Sequence, residues 1–235
     1  MNWDNYLLET KAPGGVYAHL GTLEEAVTAP FDLSALQETA KVVSLGTPLK
    51  KFKLQYTNQS SLCGRKNIEA ITVNDIDQER LAVLTTLPNL KYLQISSNQQ
   101  NEIPNLSDLK SLEVLILANI KKVENIDFVK GLKNLKTLYI YGINNLYYLA
   151  PVSELTNLKE LFIDHGKMSG TGKAIKNIDP LRGLNQLQYL HLAVSIEDRN
   201  PDLSPLSNLK KLQRLSLLPK YMKAIPTEIL QKELT

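Results

Sequence analysis

The sequence predicts an α/β solenoid, built from short repeats, with a curved parallel β-sheet on its concave face. The first observation is a recurring pattern, L-x-x-L-x-x-L-x-L, seen in LPNLKYLQI (87–95), LKNLKTLYI (132–140), LTNLKELFI (155–163) and LNQLQYLHL (184–192). The second is its spacing, because successive copies lie 22, 22, 23, 23, 29 and 25 residues apart. The residues that mark the third leucine of each copy are Ile71, Leu93, Leu115, Leu138, Leu161, Leu190 and Leu215.

The third observation is a change of apolar period within each repeat. In YLQIS (92–96) the residues alternate, which predicts a half-buried strand with Leu93 and Ile95 pointing inward. After the strand every third residue is apolar, which suits 3₁₀ or extended turns and does not suit a long α-helix. Prolines also interrupt these returning segments, at positions 104, 151, 180 and 205.

This pattern resembles the leucine-rich repeat family, in the class of about 22 residues found in internalins and in some phosphatase-regulating proteins. The resemblance covers residues 66–217 and, less fully, 41–65. It departs from the family at the asparagine that follows the strand, which occurs only as Asn98. The resemblance implies a non-enzymatic solenoid that binds proteins or peptides on its concave sheet.

A solenoid needs caps, because its first and last coils would otherwise expose leucines. We expect an N-terminal cap (1–40), a solenoid (41–220) of about seven clear repeats plus irregular first strands, and a C-terminal cap (221–235). Residues 22–40 are expected to form a short helical cap. An asparagine recurs just ahead of the strands, where its amide can satisfy turn backbone groups, at Asn89, Asn134, Asn157 and Asn208.

Composition narrows the class of protein. A net charge of +3 is too small to indicate nucleic acid binding, and no apolar run is long enough to cross a membrane. Cys63 is the only cysteine, and the N-terminus lacks a signal-peptide pattern, so we expect a cytoplasmic protein. Six acids in residues 1–40 face six bases in residues 41–66, which we interpret as pairing between the cap and the body. We expect a monomer.

The stretch HGKMSGTGKA (165–174) resembles a phosphate-binding loop, but it departs from G-x-x-x-x-G-K-[ST] in two places. Lys167 stands where the first glycine belongs, and Ala174 replaces the hydroxyl residue that would bind magnesium. The apolar ladder also resumes at Ile175, where a phosphate-binding loop would begin a helix. We interpret the stretch as an insertion of six residues that forms a loop beside the sheet.

Two further groups of residues are weaker candidates for a functional site. Asp164, His165 and His191 lie one strand apart and could bind a metal or exchange protons, but the sequence offers no further ligand. Cys63 lies next to Arg65 and Lys66, which would lower a thiol pKa, but it has no evident histidine partner. We predict no metal, no cofactor and no catalytic residue.

The outward side chains of the sheet are the better candidates. Aromatic and aliphatic residues with a polar rim commonly anchor protein interfaces, and the solenoid core does not require them at these outward positions. The alternatives are that these side chains stabilise neighbouring strands or that a cap covers them. The predicted partner-binding residues are Tyr92, Gln94, Ile116, Tyr139, Tyr141, Glu160, Phe162, Asp164 and His191.

The sequence thus predicts a non-enzymatic protein-interaction module that binds an unknown protein or peptide on its concave face. One alternative is a nucleotide- or metal-dependent enzyme or switch that uses the 164–174 loop. Another is a scaffold within a larger complex, which exposed leucines in residues 217–235 would favour.

Overall fold

The computed structural model describes residues 3–9, 23, 26–46, 54–96, 100–166 and 172–225. These residues form one parallel sheet whose nine strands follow each other in chain order. The strands are β1 (Val27–Thr28), β2 (Val42–Leu45), β3 (Ala70–Val73), β4 (Tyr92–Ser96), β5 (Val114–Ala118), β6 (Thr137–Tyr141), β7 (Glu160–Asp164), β8 (Tyr189–Ala193) and β9 (Arg214–Leu217). The leucine-rich repeat solenoid predicted from the sequence is confirmed.

The register of the sheet follows the repeat. Leu93 pairs with Leu115, and Leu138 pairs with Leu161, so the third leucine of each copy occupies the same place in its strand. These side chains point into one continuous apolar core, which also holds the period-three residues of the returning segments. Burial of this shared core is what holds one coil to the next.

The returning segments on the convex side are mostly 3₁₀ turns, as the period of three predicted. They lie at Leu33–Ala35, Gln59–Leu62, Asp127–Val129, Ala150–Glu154, Asp179–Leu181, Ser204–Asn208 and Pro219–Ala224. The exception is α-helix α2 (Gln78–Leu84), which precedes β4. The Asp77 side chain accepts a hydrogen bond from the Arg80 amide at 2.8 Å and so caps the start of this helix. The segment is rich in good helix formers and has no proline.

The recurring asparagines link neighbouring coils. The Nδ2 of Asn134 donates to the Lys110 carbonyl at 2.8 Å, and that of Asn157 donates to the Lys133 carbonyl at 2.8 Å. Asn89 and Asn208 make the equivalent bond to Lys66 and Arg182. Each amide therefore satisfies a carbonyl of the preceding coil, as its position in the repeat predicted.

The described part of residues 22–40 differs from the short helical cap that we expected there. In residues 22–40 the described part contributes β1, which extends the sheet, and the 3₁₀ turn Leu33–Ala35. The short N-terminal helix, α1 (Tyr6–Glu9), packs on β7 instead. At the other end, the Tyr221 hydroxyl accepts a hydrogen bond from the Ile196 amide at 2.7 Å, and the predicted C-terminal cap beyond residue 225 lies outside the described residues.

Strand β9, one of the two edges of the sheet, is only partly covered. Leu215 and Leu217 are only partly buried, although both pack against the core. Among the described residues, no helix has the length and apolar character required to span a membrane.

Candidate functional site: the concave sheet face

The outward side chains of the sheet form aligned rows across the concave face. In the middle row Gln94 pairs with Ile116, Ile116 with Tyr139, Tyr139 with Phe162, and Phe162 with His191. The register therefore brings these five predicted residues together.

Three rings of the middle row stack on one another. The Tyr139 and Phe162 ring centroids lie 4.3 Å apart with 13° between the planes, and those of Phe162 and His191 lie 4.2 Å apart with 3° between the planes. Offset aromatic pairs of this kind stabilise a sheet beyond the effect of area alone. Part of the aromatic content of this face is thus explained by contacts between neighbouring strands.

The structure corrects one expectation, which is that these side chains are exposed. Ile116 and Tyr139 are 0% exposed, and Tyr92, Gln94 and Phe162 are 1% exposed. Tyr141 and Glu160 are buried as well. The reason is that the chain covers its own concave face, the alternative that the sequence left open.

The cover includes the N-terminal segment, defined here as residues 3–9. Its Trp3, Tyr6 and Leu7 are 6%, 8% and 2% exposed and belong to a second apolar cluster, separate from the solenoid core. Trp3 packs on Tyr92 with 5.3 Å between ring centroids, and Tyr6 meets the same ring edge-on at 5.7 Å. The face therefore binds a peptide segment, and that segment belongs to the same chain.

Glu160 holds the backbone of this segment. The Leu7 amide donates to the two Glu160 carboxylate oxygens at 2.9 and 3.0 Å, and the Leu8 amide donates to Oε1 at 2.8 Å. The Thr137 hydroxyl donates to the other oxygen, Oε2. Burial raises the pKa of Glu160 above its usual value, and the three donors oppose that shift by stabilising the carboxylate.

An ion-pair network fixes the start of the segment. One Asp4 carboxylate oxygen lies 3.0 Å from the Nζ of Lys136 and 3.0 Å from that of Lys159. Lys136 also pairs with Glu113, which in turn pairs with Lys91. The two lysines lower the pKa of Asp4 by hydrogen bonding to it. Among the described residues, the partners of this acid thus include two lysines of the central repeats.

The β8–β9 end of the face stays open. His191, Ala193, Arg214 and Ser216 are partly exposed, and so is Asp164 on β7. Burial lowers the pKa of His191 to about 4, and its Nε2 has no hydrogen-bond partner among the described residues. The pKa of Asp164 is raised by burial, while a hydrogen bond from the Gly166 amide at 2.7 Å opposes the shift.

The loop 164–174 is described only at its two ends, because residues 167–171 lie outside the described residues. His165 is 2% exposed, and Gly172 packs directly against its ring. Lys173 lies over the Tyr147 ring at 4.7 Å, and its amide donates to the Asn144 carbonyl. In the described part of the chain, no three His, Cys, Asp or Glu side chains are grouped so that they could hold a metal ion.

Sequence reasoning missed Trp3, Asp4, Tyr6 and Leu7 as members of this site. Two signals were present. The stretch WDNYLL places aromatic residues at positions i and i+3 and a leucine at i+4, the spacing of one helix face. On the sheet, Glu160 places a carboxylate between Thr137 and Tyr189, inside an outward row that begins with apolar and aromatic residues.

Comparisons with known proteins agree with the architecture. No family model and no curated protein matches the chain. Among solved structures, internalin C2 from Listeria monocytogenes is 28% identical with a TM-score of 0.50, and the match covers 66% of this chain and 64% of that one. The plant peptide hormone receptor RGFR1 in complex with RGF2 is 13% identical with a TM-score of 0.50, over 82% of this chain and 34% of the receptor.

A third match is the Leptospira interrogans leucine-rich repeat protein LIC12759, which is 19% identical with a TM-score of 0.47, over 88% of this chain and 56% of that one. This chain spans less than two thirds of the length of each of the three. The repeat pattern, the nine-stranded sheet in the described residues and the likeness to the internalin agree, and the chain has the leucine-rich repeat fold.

Proposed function

We propose that this protein is a non-enzymatic interaction module that binds a protein or peptide partner on the concave face of its sheet. One observation carries the proposal: the face already holds a peptide, residues 3–9, by both apolar contacts and backbone hydrogen bonds. A groove that accepts main-chain amides on a buried carboxylate is suited to recognising a peptide backbone.

The open end of the face gives a partner a first point of contact. His191 and Ser216 pair there in the middle row, and Asp164 and Arg214 lie in the two flanking rows, so this end combines a carboxylate, an imidazole, a guanidinium and a hydroxyl. We propose that Asp164 and His191 contribute to specificity, while the buried rings of Tyr139 and Phe162 give the face its shape. RGFR1, which shares this fold, was solved in complex with RGF2, so the fold is compatible with such a role.

The interaction is tested by selecting peptides from a displayed random library on the immobilised full-length chain. We expect the selected peptides to lose binding to a Ser216→Arg variant, because the longer side chain fills the open end of the concave face. The matched control is Ser153→Arg, which makes the same change at an exposed residue on the convex side. If the selected peptides bound Ser216→Arg as tightly as the native chain but no longer bound Ser153→Arg, their site would lie on the convex face and the proposal would be refuted.

The non-enzymatic character has a separate test. The melting temperature of the chain should not change when ATP, GTP or Zn²⁺ is added, since a ligand that binds the native state selectively would raise it. A clear increase with any of the three would favour the enzyme or switch instead. The cytoplasmic location and the monomeric state stay predictions.

A further inference from the structure

The N-terminal segment packs in an apolar cluster that is separate from the solenoid core. Trp3, Tyr6 and Leu7 pack only in the concave cluster, whereas the aliphatic core between the strands and the convex turns is a separate cluster. The coils can therefore stack whether or not residues 3–9 are in place. Docking of this segment is a binding event added to the fold.

The carboxylate of Glu160 is the strongest indication that this site is built for a peptide. It is 0% exposed, and a buried carboxylate is costly unless donors surround it. Two of its three donors are backbone amides of Leu7 and Leu8, which lie 153 and 152 residues away in the sequence. Without a peptide in the groove, only the Thr137 hydroxyl would remain of these donors.

The segment itself is poorly suited to be a permanent part of the structure. The helix α1 has four residues, far fewer than the ~12–15 that an isolated helix needs to be stable in water. Its position thus depends on the groove. A segment tethered to its site is present at an effective concentration on the order of millimolar, so modest affinity is enough to keep it bound.

The groups that contact residues 3–9 indicate which ligand could take the place of this segment. The site offers an aromatic surface on Tyr92, a buried acceptor on Glu160 and two cationic groups on Lys136 and Lys159. A matching ligand supplies an aromatic pair at i and i+3 with a leucine at i+4, two free amides in a helical turn, and an acidic residue beside the first aromatic one.

Resting on the proposed function, we infer that residues 3–9 are an internal pseudo-ligand of the concave face. The external partner of the same site is then a short, acidic, aromatic helical peptide of this chemistry. Partner and segment compete, so the segment lowers the apparent affinity for the partner by the fraction of molecules in which the groove is free. A partner whose helix is already formed has the advantage, because it loses less conformational entropy on binding.

The probe for this inference is a fluorescein-labelled peptide with the sequence of residues 1–10, MNWDNYLLET, titrated into the full-length chain and followed by fluorescence anisotropy. The variant that frees the groove is Asp4→Lys, which places a third cation beside Lys136 and Lys159 and leaves every apolar contact intact. Asp4 is about half exposed, at 45% of its side chain, so the change should not affect folding of the solenoid.

We expect the labelled peptide to bind the Asp4→Lys chain up to about sixfold more tightly than the native chain, since two ion pairs of the competitor become repulsions. The matched control is Asp108→Lys, an exposed acid paired only locally with Lys110, and it should bind the peptide as the native chain does. Adding Glu160→Ala to the Asp4→Lys chain should abolish binding, which assigns the peptide to this groove.

Equal affinity for the native and Asp4→Lys chains would show that the segment does not compete, and it would overturn the inference. No saturable binding to Asp4→Lys would do the same. If the library-selected peptides still bind in that case, the proposal of an interaction module is retained, and only the inference that residues 3–9 are a pseudo-ligand is rejected. Dimers of the native chain that form at high concentration, measured by light scattering, would make a second copy the occupant and would also overturn it.

Discussion

Replacing Glu160 with alanine should release the N-terminal segment while leaving the solenoid folded. The change removes the acceptor of the Leu7 and Leu8 amides and of the Thr137 hydroxyl. Near-complete burial of Trp3, Tyr6 and Leu7 contributes about 6 kcal/mol, and the hydrogen bonds to the carboxylate contribute about 5 kcal/mol. Ordering the seven residues costs about 10 kcal/mol.

These terms leave a net docking free energy of only about 1 kcal/mol, so losing the carboxylate bonds should undock the segment. The loss that undocking causes cannot exceed the docking free energy, because the segment has no further contact to lose once it is free. The melting temperature should therefore fall by no more than about 2–4 °C, the shift that 1 kcal/mol produces in a domain of this size.

The assay is the fluorescence of Trp3, the only tryptophan in the chain. In the native protein the indole is 6% exposed, so its emission should be blue-shifted and protected from acrylamide. In Glu160→Ala the emission should shift to the red and quenching should increase. Native-like emission and quenching in this variant would refute the reasoning.

Glu160→Gln is the matched control. Its side-chain oxygen can still accept from the Leu7 and Leu8 amides, and its new amide group can donate to the Thr137 hydroxyl oxygen. Trp3 should therefore stay protected in this variant. If Glu160→Gln released the segment as fully as alanine does, charge and not hydrogen bonding would control docking.

Two predictions concern the solenoid itself. Burial lowers the pKa of His191 to about 4 in the folded state, whereas the unfolded chain has the ordinary histidine pKa of about 6.5. Between these pH values the unfolded chain binds more protons, so the free energy of unfolding should rise as pH increases from 4 to 6.5. This increase in the free energy of unfolding is about 2 kcal/mol after allowance for partial exposure. In His191→Phe the free energy of unfolding, measured in urea at pH 4.5 and 7, should depend much less on pH. An unchanged pH dependence would show that another group causes it. Asn157→Ala should lower the free energy of unfolding by about 1 kcal/mol, because the hydrogen bond to the Lys133 carbonyl is lost. Asn145→Ala, at an exposed position, should lower it by almost nothing. Equal losses in the two variants would show that the recurring asparagines do not stabilise the solenoid through this bond.

Much of the fold could be predicted because the repeat is a local and redundant signal. The apolar residue that marks each copy appears seven times, so seven of the nine strands, their order and their register followed from spacing alone. The asparagine row was predictable for the same reason. The helix α2 was missed although Asp77 and a proline-free run of helix formers indicated it, since the neighbouring repeats suggested a 3₁₀ turn.

The state of the concave face could not be predicted in this way. Periodicity shows that Ile116 and Tyr139 point outward, but it does not show what lies over them. Their cluster includes a segment more than a hundred residues away, which occurs once and has no repeat to align with. The charge pattern suggested that the acidic N-terminus pairs with the body, yet it gave no basis for choosing Lys136 and Lys159 over the bases of residues 41–66.

The most direct test of the central claim, that residues 3–9 occupy the concave face, is a nuclear Overhauser measurement on the full-length chain. With ring centroids 5.3 Å apart, Trp3 and Tyr92 should give cross-peaks between indole and phenol ring protons. These cross-peaks should weaken in Asp4→Lys and remain in Asp108→Lys. Their absence from the native protein, with both rings assigned, would contradict the account.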